Sequence, residues 1–155
     1  METTRELINE FLAQHRIAMV GVSRNAKDFS RMLFRDLVQR GYDMVPVTPN
    51  AAEVDGKTCF ARVQDVRPPV DAALLMTKPA LTERVVGDCA EARITRVWMY
   101  RAAGSGAVSE AALAFCEQRG IHAVPGYCPY MFLPDAAFYH KLHGFFLKIT
   151  GAFPK

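Results

Sequence analysis

The chain lacks the features of membrane and secreted proteins. None of its apolar runs reaches the roughly 20 residues that a helix needs to cross a bilayer. Its first six residues carry two acids and lead into no apolar core with a cleavage site, so we expect no signal peptide. The four cysteines form no C-x-x-C pair, and Cys89 and Cys116 fall on apolar faces of predicted helices. Buried free thiols are typical of a reducing compartment, so we expect the protein in the cytoplasm.

A broad concentration of one charge is also missing. The net charge is +3 and no two lysine or arginine residues are adjacent, so we expect no nucleic-acid partner. One short segment differs from the rest, because Arg24, Lys27 and Arg31 lie within eight positions of each other. Positive charge is therefore gathered at one place in a chain that is otherwise close to neutral.

Short apolar segments alternate with amphipathic ones along the chain. The apolar segments predict strands at residues 17–22, 43–47, 70–76, 96–100 and 121–124. Helical spacing predicts helices at 4–14, 30–40, 80–92 and about 108–116. An edge strand at 58–60 and a helical turn near 63–66 are expected in the less regular stretch between them. The alternation predicts a single α/β domain, a Rossmann-like doubly wound parallel sheet with helices on both faces.

The last part of the sequence continues beyond the predicted sheet. Half of the ten phenylalanines follow residue 128, and residues 134–150 place Phe138, Leu142, Phe145 and Ile149 at helical spacing. We expect a C-terminal amphipathic helix that packs back on the core at about 15–128. A homodimer contact through the aromatic arm at 129–155 is the alternative. A membrane-surface helix is disfavoured, because its polar face would hold only Lys141 and Lys148 as cations.

In an open parallel sheet, ligands bind outside the carboxyl ends of the strands, where the strand order reverses. The turn after the first predicted strand carries Gly21, which permits close approach of a ligand, and Val22 and Ser23 follow it. Ser30 stands at a predicted helix N-terminus beside the cation group, which favours a polyanionic ligand. The alternative is an ordinary strand-to-helix turn with solvated basic residues. Three further turns, at 48–51, 77–79 and 100–106, are expected at the same edge.

The usual nucleotide motifs are absent. A dinucleotide site needs G-x-G-x-x-G and an acid at the end of the second strand, but only the first glycine is present and that strand ends in Thr48-Pro49-Asn50. No G-K-[ST] phosphate loop occurs either. The residues therefore give little support to a nicotinamide cofactor.

The remaining pattern resembles a known family. The segments that carry the resemblance are Ile17-Ala18-Met19-Val20-Gly21-Val22-Ser23-Arg24, Gly41-Tyr42, Val45-Pro46-Val47-Thr48-Pro49, Val54-Asp55-Gly56-Lys57, Val63-Gln64-Asp65-Val66, Val70-Asp71 and Val97-Trp98. Together they resemble the CoA-binding domain family, small Rossmann-like chains similar to the nucleotide-binding domain of the succinyl-CoA synthetase alpha subunit. The resemblance covers about residues 15–128 and implies coenzyme A or an acyl-CoA as the ligand.

The resemblance also implies a set of binding residues. Phosphates would bind at Gly21, Ser23, Arg24, Ser30 and Arg31, with Val22 and Lys27 in the same turn. The adenosine would lie against Thr48, Pro49 and Asn50, and the pantetheine arm against Thr77, Lys78 and Pro79. Relatives often place a lysine after the second turn, where this chain has Ala51-Ala52. The contact to the 3′-phosphate is therefore open, with Arg24, Lys27 and Lys57 as candidates.

We predict no catalytic residue and no metal site. His140 and His143 share a helical face, but an H-x-x-H pair alone is nonspecific and better fits a surface or interface pair. Cys128 has no charged neighbour in the sequence that would activate it. Our leading hypothesis is a non-catalytic CoA or acyl-CoA binding protein, an accessory or sensor in thioester metabolism. The alternatives are an enzyme with a degenerate nicotinamide or acyl-CoA site, and an interaction module whose nucleotide site is vestigial.

Overall fold

The computed structural model describes residues 4–134, and within them a five-stranded parallel sheet forms the centre of the fold. Its strands are β1 (Arg16–Val20), β2 (Asp43–Val47), β5 (Ala72–Leu75), β6 (Arg96–Met99) and β7 (His122–Pro125). The helices are α1 (Thr4–Leu12), α2 (Phe29–Gln39), α3 (Pro79–Glu91) and α4 (Glu110–Gln118). A hairpin of β3 (Glu53–Val54) and β4 (Lys57–Thr58) and two 3₁₀ helices, Val63–Asp65 and Pro129–Met131, complete the described chain.

The order of the strands places the reversal of the sheet between β1 and β5. The order is β2-β1-β5-β6-β7, and every neighbouring pair in this sheet is parallel. The chain runs from β1 outward to β2 and then returns past β1 to β5. The loops that follow β1 and β5 therefore diverge to opposite faces and leave a crevice between them, which is where open α/β sheets bind ligands.

Alternate side chains of the strands fill two separate cores. In β1, Ile17 and Met19 face α1 and α2, whereas Ala18 and Val20 face α3 and α4. Both faces are covered because α1 and α2 pack on one face and α3 and α4 on the other, and this explains why the strands read as unbroken apolar runs. The sequence prediction of a Rossmann-like sheet with helices on both faces is confirmed.

Trp98 lies at the centre of the core on the α1 side. Its side chain is fully buried, and its indole N–H donates to the carbonyl oxygen of Gly126 at 2.7 Å. Phe11 of α1 packs edge-on against the indole with ring centroids 5.4 Å apart. Trp98 therefore connects β6 to α1 through ring packing and to the turn after β7 through a hydrogen bond. The hydrogen bond satisfies the N–H group, which a buried indole requires.

Two regions differ from the prediction or lie outside it. Residues 58–60 do not add an edge strand to the main sheet: β3 and β4 form their own two-residue antiparallel pair, and Phe60 makes one isolated bridge to Val47. Asp55 and Gly56, both at positive φ, form the two-residue turn of this hairpin. The predicted helix at 134–150 lies, after Pro134, outside the described residues. Among the residues described, no helix is long and apolar enough to cross a membrane.

The core on the α2 side provides a stability prediction. Leu74 is 1% exposed, so Leu74→Ala is expected to lower the free energy of unfolding by about 2–5 kcal/mol through lost burial and an unfilled cavity. Met32 on α2 is 43% exposed, and Met32→Ala is expected to change the free energy by no more than about 0.5 kcal/mol. Urea denaturation measures both values. Equal effects would contradict the placement of Leu74 in the core.

Candidate ligand-binding cleft

A cleft of about 1120 Å³ opens at the carboxyl edge of the sheet. It lies beside the crevice between β1 and β5 and extends along α3 to the first 3₁₀ helix. Eight of the thirteen residues predicted from the sequence line it: Gly21, Val22, Ser23, Arg24, Thr48, Pro49, Asn50 and Thr77. The structure thus brings together residues from three separate turns. Their contact with a ligand remains a prediction.

Gly21 sits where the carboxyl ends of β1 and β5 meet. Its φ is +89°, and a Cβ atom at this position would lie 3.0 Å from the carbonyl oxygen of Met76. Its N–H donates to the carbonyl oxygen of Val47 at 2.9 Å, so the turn is held against β2 as well. Only glycine accepts both the positive φ and the lack of space.

The turn after Gly21 bonds mostly to itself. The N–H of Ser23 donates to the Ser30 hydroxyl at 2.9 Å, and the N–H of Asn25 donates to the Ser23 hydroxyl at 3.0 Å. Within residues 4–134, the N–H groups of Val22 and Arg24 have no acceptor. Both residues line the cleft, so these two backbone donors are candidates to bind a ligand.

The N-terminus of α2 differs from the sequence expectation. The Asp28 carboxylate accepts from the Ser30 N–H at 2.9 Å and from the Ser30 hydroxyl at 2.7 Å. An aspartate cap supplies the negative charge that favours a helix N-terminus, in the position where we expected a phosphate. Ser30 is buried and does not line the cleft, nor does the exposed Lys27. Of the residues predicted to bind phosphate, those at 21–24 line the cleft.

Arg31 is buried beneath the turn instead of facing the cleft. Its guanidinium donates to both carboxylate oxygens of Asp55, at 2.6 and 3.2 Å, and to the carbonyl oxygens of Ser23 and Arg24. Asp55 raises the pKa of Arg31, and the Arg31 guanidinium lowers the pKa of Asp55. Four donated bonds leave this side chain committed to the protein, so it holds the turn in shape for other residues to bind.

Each of the two other turns is held by a hydrogen bond to a neighbouring segment. Thr48 donates its N–H to the carbonyl oxygen of Phe60 at 2.9 Å, and the hydroxyls of Thr77 and Thr82 lie 2.6 Å apart. Lys78 is the exposed N-cap of α3 and Pro79 its first residue, and neither lines the cleft. Of the three residues predicted to contact the pantetheine arm, Thr77 is therefore the one that lines the cleft. The fourth predicted turn, at 100–106, does not line the cleft.

The prediction missed the side of the cleft formed by α3 and the first 3₁₀ helix. Leu81, Arg84, Val85 and Asp88 line the cleft from successive turns of α3, and Arg62 lines it from the segment before the 3₁₀ helix. Leu81, Arg84 and Asp88 are spaced by three and four, so the helix presents them on one face. In the sequence, Arg84 and Asp88 adjoin the apolar stripe of this helix, but the sequence alone does not show which side of the stripe meets the carboxyl edge.

The candidate reactive groups lie elsewhere. Cys128 is 1% exposed, and burial raises the pKa of its thiol to about 11. Very little thiolate therefore exists at neutral pH, and Cys128 does not line the cleft. His140 and His143 lie outside the described residues. Within residues 4–134, no group of three or more histidine, cysteine and acidic residues is placed to hold a metal ion.

The fold and the cleft together define the class of the protein. It is a Rossmann-like α/β domain with a ligand crevice at the reversal of its strand order. The model of the CoA binding domain family matches residues 15–134. The chain belongs to this family, as the sequence resemblance implied. No curated protein matches the chain.

Solved structures show the same fold. A hypothetical protein from Pyrococcus horikoshii OT3 is similar with 24% identity and a TM-score of 0.75, covering 83% of this chain and 87% of that one. A conserved hypothetical protein from Pyrococcus furiosus has 27% identity and a TM-score of 0.65, covering 74% and 95%. A dinucleotide-forming acetyl-coenzyme A synthetase from Ca. Korarchaeum cryptofilum, in complex with phosphate and ADP, has 23% identity and a TM-score of 0.60. The match covers 70% of this chain but 25% of the synthetase.

The close contact at Gly21 provides a prediction with an internal control. Gly21→Ala is expected to lower the free energy of unfolding by about 1–3 kcal/mol, because it combines positive φ with contact to Met76. Gly87 lies in the interior of α3 with open space around it, so Gly87→Ala is expected to raise the free energy by up to about 1 kcal/mol. Thermal or urea unfolding checks the opposite signs. Two changes of the same sign would contradict this account.

The ion pair between Arg31 and Asp55 gives a pH-dependent prediction. Asp55→Asn is expected to destabilise the fold by about 1–3 kcal/mol near neutral pH, because it leaves the buried guanidinium without its carboxylate. The pKa of Asp55 is lowered on folding, so its stabilising effect is present above about pH 4 and is lost as the pH falls through the lowered value. The difference between wild type and variant should therefore shrink in acid.

Asp71→Asn is the matched control for this experiment. Asp71 is exposed and its side chain makes no hydrogen bond or ion pair within residues 4–134, so a change of no more than about 0.5 kcal/mol is expected. Urea unfolding of the three proteins at neutral and acidic pH gives the comparison. An Asp55→Asn effect that does not depend on pH would contradict the role of this ion pair.

Proposed function

We propose that this protein binds CoA or an acyl-CoA in the cleft without transforming it, as an accessory or sensor protein in thioester metabolism. The observation that carries the proposal is the composition of the cleft in a member of the CoA-binding domain family. The sharp Gly21 turn brings free backbone donors to one side, and three arginines, Arg24, Arg62 and Arg84, line the space around it. A phosphate-rich ligand complements such a site.

The proposed diphosphate position is the turn at residues 21–25. The N–H groups of Val22 and Arg24 point to no acceptor in the described protein, and the Arg24 side chain is exposed at the rim. Arg31 supports this position from below by holding the carbonyl groups of the same turn. The diphosphate would thus receive backbone donors and one guanidinium, the combination found in many phosphate sites.

The proposed adenosine position lies between the turn after β2 and the face of α3. Thr48, Pro49 and Asn50 contribute one side, and Leu81 and Val85 contribute apolar surface opposite. Leu81 is 42% exposed, which is unusual for a large apolar residue and leaves surface for a ligand to cover. The pantetheine arm is proposed to leave past Thr77 towards the crevice between β1 and β5.

The cleft favours binding over catalysis. Its lining within residues 4–134 contains no histidine, cysteine or lysine that could activate a hydroxyl such as that of Ser23, and Asp88 is its one carboxylate. The carboxylate of Asp88 accepts from the Gln64 side-chain amide at 2.7 Å and is held in place by it. These features support a carrier, sensor or accessory role.

Two further proposals concern the setting of the protein. The four cysteines are free, which supports the cytoplasm as its compartment. A homodimer through the aromatic arm at 129–155 rests on the sequence pattern, since most of that arm lies outside the described residues. The mass in solution of the full chain and of a chain ending at Pro134 would test this role of the arm.

Calorimetry with CoA and NAD tests the proposed function. Wild type is expected to bind CoA more tightly than NAD, because NAD lacks the third phosphate. Arg24→Gln is expected to weaken CoA binding about tenfold, the effect of losing one charge-assisted hydrogen bond.

Arg119→Gln is the matched control for Arg24→Gln. Arg119 follows α4 at the amino edge of the sheet and packs over Phe115, so CoA binding should be unchanged. Tighter binding of NAD than of CoA by the wild type would overturn the proposal. Mass spectrometry of ligand retained through purification gives an independent check on the identity of the nucleotide.

A further inference from the structure

Three arginines line the cleft, and only one of them lies at the proposed diphosphate position. Arg24 lines it from the turn after β1, whereas Arg62 and Arg84 line it from the other side, next to the first 3₁₀ helix and on α3. The second pair lies alongside Val63 and Val85, in the part of the cleft proposed for the adenosine. Two separate cationic positions fit a ligand whose phosphates are in two separate places.

Arg84 is available to a ligand. It is exposed on the cleft face of α3, one turn after Leu81, and its side chain makes no hydrogen bond or ion pair within residues 4–134. No described carboxylate therefore competes for its guanidinium. An arginine that lines a cleft without a protein partner retains all five N–H donors for an anion.

Arg62 is held more loosely than an ordinary structural arginine. Its Nη2 atom lies 3.4 Å from the Oδ1 atom of Asp88, and its side chain is 57% exposed. The same Oδ1 atom accepts the stronger bond from Gln64 at 2.7 Å. Asp88 thus positions Arg62 at the cleft while most of the guanidinium stays accessible, and the two arginines outnumber the one carboxylate.

The other cations suggested by the sequence are placed differently. Lys27 and Lys57 do not line the cleft, and the ammonium of Lys57 lies 3.8 Å from the carboxylate of Asp43. Positions 51 and 52, after the second turn, hold alanines and provide no charge. The cations that remain near the proposed adenosine position are those on α3 and before the 3₁₀ helix.

We propose that Arg62 and Arg84 bind the 3′-phosphate on the adenosine ribose, so that the cleft distinguishes CoA from dephospho-CoA. This inference rests on the proposed function and adds the residues that determine its specificity. Arg24 and the free N–H groups of the first turn serve the diphosphate, which both ligands share. Recognition of the third phosphate comes from α3 and from the segment before the first 3₁₀ helix, which lie across the cleft from the turn after β1.

Calorimetry with CoA and dephospho-CoA tests the assignment in a thermodynamic cycle. Wild type is expected to bind CoA more tightly than dephospho-CoA. Arg84→Gln and Arg62→Gln are each expected to weaken CoA binding about tenfold and to change dephospho-CoA binding by less than about twofold. Arg24→Gln should weaken both ligands by the same factor, because it acts on the shared diphosphate.

Arg93→Gln is the matched control, since it removes an exposed arginine just after α3 and outside the cleft. It should leave both affinities unchanged. The inference is overturned if Arg84→Gln and Arg62→Gln weaken both ligands equally or neither ligand, or if wild type binds the two ligands equally. These results leave CoA binding itself intact. Failure of wild type to bind either ligand would instead overturn the proposed function.

Discussion

The contact between the ends of β1 and β5 is the constraint from which the site follows. The chain leaves β1 through Gly21 so close to the carbonyl of Met76 that the position has no space for a side chain. Because the backbones of Gly21 and Met76 lie in contact, the loops that follow β1 and β5 start side by side. The helices after these loops then pack on opposite faces of the sheet. The cleft is the space left as the two loops diverge, and its donors derive from the turn that Gly21 makes possible.

A second interaction keeps that turn in one conformation. Arg31 reaches from α2 to the carbonyl groups of the turn and to Asp55 in the hairpin of β3 and β4. The hairpin therefore has a role beyond linking β2 to the rest of the chain, since it supplies the counter-charge that lets a buried arginine stay there. The sequence resemblance includes this hairpin, and the structure provides a physical reason for its presence.

Local patterns predicted the architecture well, because each strand is buried on both faces and each helix has one apolar stripe. The boundaries moved by a few residues, and in place of the expected edge strand at 58–60 the structure has the short β3–β4 hairpin and one isolated bridge between Phe60 and Val47. The prediction overlooked Asp28 as the N-cap of α2, although its position directly before the helix is typical of a cap. Sequence could not show that Arg31 would turn inward, since its contact with Asp55 depends on distances between separate segments. The prediction also missed the side of the cleft formed by α3. Packing against the sheet decides which stripe of this helix meets the carboxyl edge, and the sequence does not show that packing.

Trp98 has a consequence for how this protein is studied. It is the single tryptophan of the sequence, it is fully buried, and its indole N–H is bonded to a backbone carbonyl. It belongs to the core on the α1 and α2 side and does not line the cleft, which extends along α3. Its intrinsic fluorescence therefore reports the integrity of the core, with the blue-shifted emission of an indole shielded from water. Ligand titrations need an extrinsic or calorimetric signal, while unfolding can be followed at a single defined position without any label.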